Sequence, residues 1–384
     1  MSLEISKNNS KENDVDENRK DKNVRYLLES VPQLEKIFKV IGKIGEGTFS
    51  SVFLAYLKSN PNKYYAIKQL VPTVSPNRIL RELKCLKVIG GTDYVAGVEL
   101  CIREAGNVVF VMEYLYHDKF ADYALNMPTG ELRDYMRALL TALRRVHQFK
   151  IIHRDVKPSN FLYNRQKKKY MLVDFGLAQP LDSIKSNPSI SRNQCLDERN
   201  KVNSLIKDTK KSTDNRCICL GKPKVCSICI MRPEQNVNRA GTPGFRAPEV
   251  LLKHHPPTTA IDVWASGVMM LCILCSSHCF FRPPNDIAAL AEIVAIFGTE
   301  AVQKCAKALG KKFICGADTQ ALDLRDICQK SRKRKRNPNS KSSSSVLQED
   351  YPDAAYDLLQ KLLDLNHATR ITAEEALNHS FLKS

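Results

Sequence analysis

The sequence predicts an α+β fold with two lobes, a β-rich small lobe followed by a helical large lobe, together with two insertions. Between Val40 and Leu115 the apolar segments are short and strand-like, with one helical segment among them. Beyond about residue 116 the apolar spacing becomes helical, and residues 131–149 carry a continuous apolar stripe. This change of period along the chain indicates two structural units of different type.

The domain boundaries follow from shifts in composition. Residues 1–30 begin with a charged, asparagine-rich stretch and are predicted to be a disordered tail. We place the small lobe at 31–115 and the large lobe at 116–384. Two long polar stretches, 178–240 and 311–350, interrupt the large lobe, and loops of this length in a compact fold are usually functional or disordered. The second of these insertions is basic and rich in serine.

Composition narrows the class of protein. The 384 residues carry a formal net charge of +18 and thirteen scattered cysteines, and no secretory segment is visible in the polar first 25 residues. We therefore expect a reducing compartment without disulfides. The longest apolar run, around residues 268–275, is too short to span a bilayer. The basic run Lys330–Arg336 predicts a nuclear-import signal and hence a nuclear location, with a solubilising loop as the alternative.

Two neighbouring motifs carry the strongest chemical signal. Segment 151–160, IIHRDVKPSN, contains Asp155 and Asn160, and the motif VDFG follows with Asp174 as its acid. An aspartate within reach of a hydroxyl can accept its proton, while an asparagine and a second aspartate provide the oxygen ligands that Mg²⁺ prefers. Lys157 can lie beside a γ-phosphate. Together these residue types predict phosphoryl transfer from a magnesium-bound nucleotide.

Segment 43–52, KIGEGTFSSV, predicts a glycine loop between two strands. Gly45 and Gly47 allow backbone N–H groups to approach phosphate, although an ordinary hairpin turn can have the same pattern. Lys68, at the end of the following strand YAIK, can pair with the α- and β-phosphates. We assign nucleotide contacts in the loop to these residues: Ile44, Gly45, Glu46, Gly47, Thr48, Phe49, Ser50, Ser51 and Val52.

A candidate ion-pair partner for Lys68 lies in the helical segment that follows. Glu82 occurs among apolar residues at helical spacing, which predicts a helix packed beside the strand that carries Lys68. Glu99 and Glu104 are alternative partners, and a solvent-exposed helical glutamate is the alternative interpretation of Glu82.

Taken in order, these motifs resemble those of the eukaryotic protein kinases, and Lys157 is typical of the serine/threonine branch. The resemblance implies the bilobal protein-kinase fold, with ATP and Mg²⁺ as cofactors. It also implies that Asp262 braces the backbone of the catalytic segment. Around the adenine ring it implies the following residues: Ala66, Met112, Glu113 and Leu115.

The motif GTPGFRAPE, residues 241–249, resembles the end of a kinase activation segment. By this resemblance Thr242 bridges Asp155 and Lys157 as a further catalytic-site residue. Glu249 pairs with Arg370 in a structural role.

The first insertion contains two close cysteine pairs on either side of the turn LGKPKV. Four thiolates at this spacing can surround one tetrahedral Zn²⁺. Nearby basic residues would help keep the thiolates ionised. Free thiols in a disordered loop are the alternative. The predicted structural zinc ligands are Cys217, Cys219, Cys226 and Cys229.

Several further segments resemble the cell-division-cycle-seven kinases, the catalytic subunits of a replication kinase. They include VPQL before the glycine loop, KPSNFLYN from residue 157, TAID from residue 259, and the cysteine cluster ahead of GTPGFRAPE. The resemblance covers roughly residues 31–310 and 351–381.

This second resemblance implies a substrate class and a partner. Such kinases phosphorylate serine or threonine followed by an acidic or phosphorylated residue, notably in minichromosome-maintenance helicase tails, and so promote origin firing in S phase. They depend on a Dbf-type regulatory subunit. Arg232, Arg239 and Arg246 are candidates for the pocket that receives the acidic residue.

Other functions are less well supported by the residues. Another acidophilic serine/threonine kinase is the first alternative. A pseudokinase scaffold conflicts with the presence of Lys68, Asp155, Asn160 and Asp174. Direct nucleic-acid binding is disfavoured because the basic stretches lack interleaved aromatic residues and a recognition helix.

Overall fold

A computed structural model describes residues 22–181, 241–335 and 350–383, apart from residues 48, 72, 73, 75 and 105. These residues have the α+β architecture that the sequence predicts, and Thr48 is the one nucleotide-loop residue outside the description. The small lobe is built from α1 (22–30), α2 (Gln33–Ile37), β1 (Phe38–Gly47), β2 (Ser50–Leu57), β3 (Asn60–Leu70), α3 (Pro76–Val88), β4 (Leu100–Glu104) and β5 (Asn107–Glu113).

The strands of the small lobe form one antiparallel sheet in the order β1-β2-β3-β5-β4. In the interior strand β5, between β3 and β4, residues 108–111 are buried on both faces, which explains their uninterrupted apolar sequence. Phe110 belongs to the core that includes α3, while Val109 and Val111 belong to a separate core on the other face. The sheet therefore holds Lys68, which pairs in register with Phe110, at its centre.

The predicted disordered tail is wrong for its last nine residues. Residues 22–30 form α1, and Leu27 is fully buried against the small-lobe sheet together with Val31 and Leu34. The cause is the helical spacing of Val24, Leu27, Leu28 and Val31, which places apolar side chains on one face. Charged residues around them hide this pattern when only composition is considered.

The large lobe contains mostly helices, with two short antiparallel strand pairs. Its elements in the described residues are α4 (Phe120–Tyr123), α5 (Thr129–Gln148), β6 (Ile151–Ile152), β7 (Phe161–Asn164), β8 (Lys169–Leu172), β9 (Gln179–Pro180), α6 (Pro248–Leu251), α7 (Ala260–Leu274), α8 (Asp286–Phe297), α9 (Thr299–Ala308), α10 (Leu324–Lys335), α11 (Asp353–Leu362), α12 (Ala373–Leu377) and α13 (Ser380–Lys383). The strand pairs are β6 with β9 and β7 with β8.

Helix α7 forms the centre of the large lobe. Every residue from Ile261 to Leu274 is buried, so this largely apolar helix has no solvent-facing side. It packs against α5, whose apolar stripe is the one that the sequence predicts between residues 131 and 149. Across the described residues, no helix has both the length and the apolar character needed to cross a membrane.

Part of each predicted insertion forms regular secondary structure packed in the large lobe. Within 178–240, β9 pairs with β6; residues 182–240 lie outside the described part of the chain. Within 311–350, residues 324–335 form α10, in which Leu324 and Cys328 are buried.

The basic run Lys330–Arg336 therefore begins inside a helix and not in a flexible segment. Arg332 is buried, forms an ion pair with Asp350 at 3.1 Å and stacks on the ring of Tyr351. These contacts tie the helical part of the basic run to the large lobe.

Candidate active site

The strand pairs of the large lobe place the two catalytic motifs side by side. Strand β6 leads into Arg154 and Asp155, while β7 and β8 form a hairpin between Asn160 and Asp174. Asp262 on α7 accepts hydrogen bonds from the backbone N–H groups of His153 and Arg154, both at 2.8 Å.

The predicted bracing of the catalytic segment by Asp262 is confirmed by these bonds. His153 adds a contact between its Nε2 atom and the carbonyl oxygen of Val173 at 3.1 Å. Arg154 has a positive φ of 70° and Asp174 one of 68°, a conformation that costs energy for residues other than glycine. The backbone on both sides of the site is thus held by side chains of the buried core.

Asp155 is contacted by three of the predicted site residues. Thr242 Oγ1 donates to Asp155 Oδ1 at 2.7 Å, and Lys157 Nζ lies 2.8 Å from Oδ2. Lys157 Nζ also donates to Thr242 Oγ1 at 2.8 Å, which closes a triangle. Asn160 Nδ2 donates to Asp155 Oδ2 at 3.0 Å and to its carbonyl oxygen at 2.8 Å. The Asp155 carboxylate therefore has a fixed orientation.

Lys68 is the cation at the centre of the second group. Its Nζ atom lies 2.5 Å from Glu82 Oε1 and 2.7 Å from Asp174 Oδ1. Burial would lower the pKa of Lys68, but the charges and hydrogen bonds of the two carboxylates outweigh it and raise the pKa above its ordinary value. Lys68 is therefore charged at neutral pH, as phosphate binding requires.

The alternative partners of Lys68 lie elsewhere. Glu104 accepts a hydrogen bond from Gln33 Nε2 at 2.7 Å, and Glu99 lines a cavity that Glu113 and Leu115 also line. Glu82, one of the buried residues of α3, is the carboxylate that the fold brings to Lys68.

The Asp174 carboxyl is strongly acidic. Burial would raise its pKa, but the charge and hydrogen bond of Lys68 outweigh burial and lower the pKa to about 2. The backbone N–H of Gly176 adds a bond of 3.3 Å to Oδ1. Asp174 is therefore ionised over the whole neutral range.

The residues expected to hold Mg²⁺ have oxygen atoms available for it. Lys68 and Gly176 both bond to Asp174 Oδ1, and Asn160 uses Nδ2 toward Asp155. Within the described residues, no donor is bonded to Asp174 Oδ2 or to Asn160 Oδ1. One carboxylate oxygen and one amide oxygen fit the preference of Mg²⁺ for hard ligands.

The glycine loop is the hairpin between β1 and β2. Gly45 stands opposite Val52, and Gly47 stands opposite Ser50. Ser51 pairs with Glu46 across the same hairpin, and Ile44 is half-exposed. Phe49, at the tip, is also exposed on part of its surface, and Val52 at the end of the hairpin pairs in register with Lys68 of β3.

Residues expected around the adenine ring lie where β3 and β5 meet the link between the lobes. Ala66 is opposite Met112 in the sheet, and Tyr65 is opposite Glu113. Leu115 is nearly buried just beyond β5. These positions bring the predicted adenine contacts to one edge of the cleft.

Arg246 differs from the sequence-based expectation. Its guanidinium donates to the carbonyl oxygen of Gly241 at 2.7 and 3.0 Å and to Asp286 Oδ1 at 2.5 Å. The arginine is thus already paired with an acidic residue, and the cavity that it lines with Asp155 and Thr242 is small, about 20 Å³. Arg232 and Arg239 lie outside the described residues.

The predicted zinc ligands also lie outside the described residues: Cys217, Cys219, Cys226 and Cys229. In the part of the chain that is described, no group of three or more His, Cys, Asp or Glu side chains is arranged to hold a metal ion. The cysteines that are described are free thiols.

The sequence-based reasoning did not single out Arg78. It lies four residues before Glu82 in α3 and contacts both the glycine loop and the segment after Asp174. The sequence feature that could have indicated Arg78 is its spacing of four residues from Glu82, which puts both side chains on one face of the helix.

The pair Glu249 and Arg370 is confirmed as a structural ion pair. The two side chains are 3% and 0% exposed and are joined by two bonds of 2.7 and 3.0 Å. They connect the end of the activation segment to the loop before α12.

Comparisons with known proteins agree with this geometry. The family model described as "Protein kinase domain" matches residues 38–212 and 227–382. The chain is 34% identical to the cell division cycle 7-related protein kinase of Mus musculus over 94% of this chain and 93% of that protein. It is 35% identical to the Homo sapiens protein of the same name, over 94% and 92% of the two chains.

A third relative carries the activity in its name. The non-specific serine/threonine protein kinase Cdc7 of Drosophila melanogaster is 32% identical, over 95% of this chain and 77% of that protein. The match extends through both lobes and includes the motifs that hold Lys68, Asp155 and Asp174. The chain therefore belongs to the protein kinase family, among the serine/threonine kinases related to cell division cycle 7.

Proposed function

We propose that this serine/threonine kinase phosphorylates sites followed by an acidic or phosphorylated residue, under the control of a Dbf-type regulatory subunit. Its substrates would include tails of the minichromosome-maintenance helicase, and its role would be to promote origin firing in S phase in the nucleus. The observation that carries the catalytic part is the orientation of Asp155 by Lys157, Thr242 and Asn160. The kinship with cell division cycle 7-related kinases supports the choice of substrate and partner.

The chemistry divides among the described side chains. Lys68 binds the α- and β-phosphates of ATP, and Asn160 and Asp174 hold Mg²⁺, which when bound neutralises phosphate charge. Asp155 orients the substrate hydroxyl and accepts its proton as the phosphoryl group transfers. Lys157 is held beside Asp155, where its charge would stabilise the negative charge of the transition state.

Selectivity for acidic sites is supported by the position of Arg246. Its contact with the carbonyl of Gly241 places it beside Thr242 and hence close to Asp155. Asp286 now neutralises the guanidinium, so an acidic group of a substrate would bind by replacing Asp286. Arg239, seven residues before Arg246, is a second basic candidate in the same segment.

Control by a regulatory subunit is supported by the arrangement of α3. This helix carries Glu82, and its partner Lys68 lies on a different element. A subunit that binds the small lobe would act by fixing α3 in the position that forms this pair.

A structural zinc ion remains a separate prediction for the first insertion. The four cysteines in two close pairs are the sequence feature that supports it. Metal analysis of purified protein should give about one zinc per chain, and replacing Cys217 and Cys229 by serine should remove it. Zinc-free protein in which all four thiols alkylate readily would exclude the site.

The experiment that tests the proposed function compares two peptides that differ at one position. A Ser-Glu peptide and its Ser-Lys twin are incubated with Mg-ATP, with and without a Dbf-type subunit, and Asp155→Asn serves as the inactive control. We expect labelling of the Ser-Glu peptide alone, and only with the subunit present. Equal labelling of both peptides would exclude acidic selectivity, and labelling without the subunit would exclude subunit control.

The role of Arg246 has its own variants. Arg246→Glu should reduce labelling of the Ser-Glu peptide more than that of the Ser-Lys peptide. Asp286→Asn should have the opposite effect on the ratio, because it removes the competing carboxylate. Equal losses with both peptides would assign Arg246 a structural role only.

A further inference from the structure

Arg78 connects three segments that meet over the nucleotide site. It lies in the first turn of α3, and its guanidinium carbon is 3.7 Å from the centroid of the Phe49 ring at the tip of the glycine loop. Its Nε atom donates to the carbonyl oxygen of Gly176 at 2.6 Å. The side chain of Arg78 therefore links α3, to which it belongs, with the glycine loop and with the segment that follows Asp174.

The charge of Arg78 has no carboxylate dedicated to it. In the part of the chain that the structure describes, no carboxylate lies within ion-pair distance of its guanidinium, and the nearest acids, Glu82 and Asp174, are both bonded to Lys68. Burial lowers the pKa of Arg78, although an arginine still keeps its proton at neutral pH. The face of the Phe49 ring provides the compensating contact for this partly buried cation.

The spacing of Arg78 and Glu82 joins this contact to the catalytic ion pair. The two residues are one helical turn apart, so they lie on the same face of α3. A displacement of α3 that takes Glu82 away from Lys68 also takes Arg78 away from Phe49 and Gly176. The glycine loop then loses its contact with the helix at the same moment as Lys68 loses its partner.

We propose that Arg78 is a positioning residue that holds the glycine loop closed over the nucleotide only when α3 and the Asp174 segment are in their paired arrangement. Closure of the loop and formation of the Lys68–Glu82 pair are then one coupled event, and nucleotide affinity depends on the placement of α3. Because this role acts through ATP binding, it rests on the kinase function proposed above.

The direct test is a double-mutant cycle on nucleotide affinity. A fluorescent N-methylanthraniloyl-ATP with Mg²⁺ is titrated into the full chain and into Phe49→Leu, Arg78→Gln and the double variant. Each single change should weaken nucleotide binding about fivefold, which is the affinity that one cation–π contact typically contributes. The double variant should bind no more weakly than Arg78→Gln alone, because Phe49→Leu removes a contact that Arg78→Gln has already removed.

Three further variants separate this role from a general loss of structure. Phe49→Tyr keeps an aromatic face and should weaken binding far less than Phe49→Leu. Leu80→Gln, at an exposed position of α3, and Arg103→Gln, at an exposed arginine of β4, should leave the affinity at the wild-type value. In steady-state assays the Arg78 effect should fall mainly on KM for ATP, whereas disruption of the Lys68–Glu82 pair should raise KM for ATP and also lower kcat.

The outcomes distinguish failure of this role from failure of the proposed function. Wild-type protein that does not bind the Mg-nucleotide would overturn both. Wild-type binding with multiplied losses in the double variant, about 25-fold in total, would show that Phe49 and Arg78 act separately and would overturn the coupling. If Arg78→Gln does not fold, the comparison of Phe49→Leu with Phe49→Tyr still decides whether the aromatic contact matters.

Discussion

Replacing Thr242 with valine tests the geometry of the catalytic base most directly. Valine keeps the β-branched shape but removes the hydroxyl that donates to Asp155 Oδ1 at 2.7 Å and accepts from Lys157 Nζ at 2.8 Å. Asp155 retains Lys157 and Asn160, which both contact its other oxygen, Oδ2. The substitution thus removes the hydrogen bond from Thr242 to Oδ1 and leaves the contacts of Lys157 and Asn160 with Oδ2 intact.

The size of the effect follows from this geometry. A hydrogen bond to a charged group contributes about 1.5–3 kcal/mol, and its loss frees the carboxylate to rotate away from the substrate hydroxyl. A loss of about 2 kcal/mol in the transition state corresponds to a decrease in kcat of about 30-fold. KM for ATP should change little, because Thr242 is not among the residues placed around the nucleotide.

The assay is steady-state phosphorylation of the Ser-Glu peptide, with the melting temperature of each variant as a check on folding. Thr242→Ser is the matched control, since it keeps the hydroxyl and should retain most of the activity. A kcat for Thr242→Val within about threefold of wild type would show that the hydroxyl does not orient Asp155, and the reasoning from these distances would be refuted.

Two further predictions concern ion pairs. Arg370→Met leaves the buried carboxylate of Glu249 without this partner and should lower the free energy of unfolding by about 3–5 kcal/mol in urea titrations. Lys304→Met, which breaks an exposed helical ion pair with Glu300, should lower it by at most about 0.5 kcal/mol. Equal losses in the two variants would contradict the argument from burial. Because the pKa of Asp174 is lowered in the folded protein, its ionised form contributes stability above the ordinary value of 3.8, and that contribution is lost as pH falls toward about 2. Between about pH 5 and pH 2.5, wild-type protein should therefore lose stability more steeply than Lys68→Met, and parallel curves would exclude Lys68 as the cause.

The sequence predicted the site residues because their chemistry is local to short motifs. Asp155 and Asn160 lie five residues apart, and Gly45 and Gly47 lie in one hairpin, so residue types and order were sufficient. The partner of Arg246 was not predictable in the same way. Asp286 is 40 residues away and reaches Arg246 only because α8 begins beside the activation segment. Such contacts depend on the packing of the whole lobe.

Composition misled where charged residues surround a narrow apolar face. In α1 the buried Leu27 lies among lysine, arginine and glutamate, and in α10 the buried Cys328 precedes a run of basic residues. The average composition of such a segment is dominated by its solvent-facing residues. It therefore hides the apolar residues that recur every three or four positions and form the buried face. Arg332 shows the same effect for a single residue, because an arginine counted as solvent-exposed charge is paired with Asp350 and buried.

A single ammonium group joins the parts of the site that a regulatory partner could influence. Lys68 Nζ binds Glu82 from α3 and Asp174 from the other lobe, and both contacts are on one buried nitrogen. If α3 moves away, Lys68 loses Glu82 and keeps Asp174 as its carboxylate partner. The positive charge of Lys68, which both acids now share, then acts on Asp174 alone, the acid that is needed for Mg²⁺. Fixing α3 shares the charge of Lys68 between both acids and leaves Asp174 Oδ2 available to the metal. The placement of one helix thus bears on phosphate binding, on metal binding and, through Arg78, on the glycine loop.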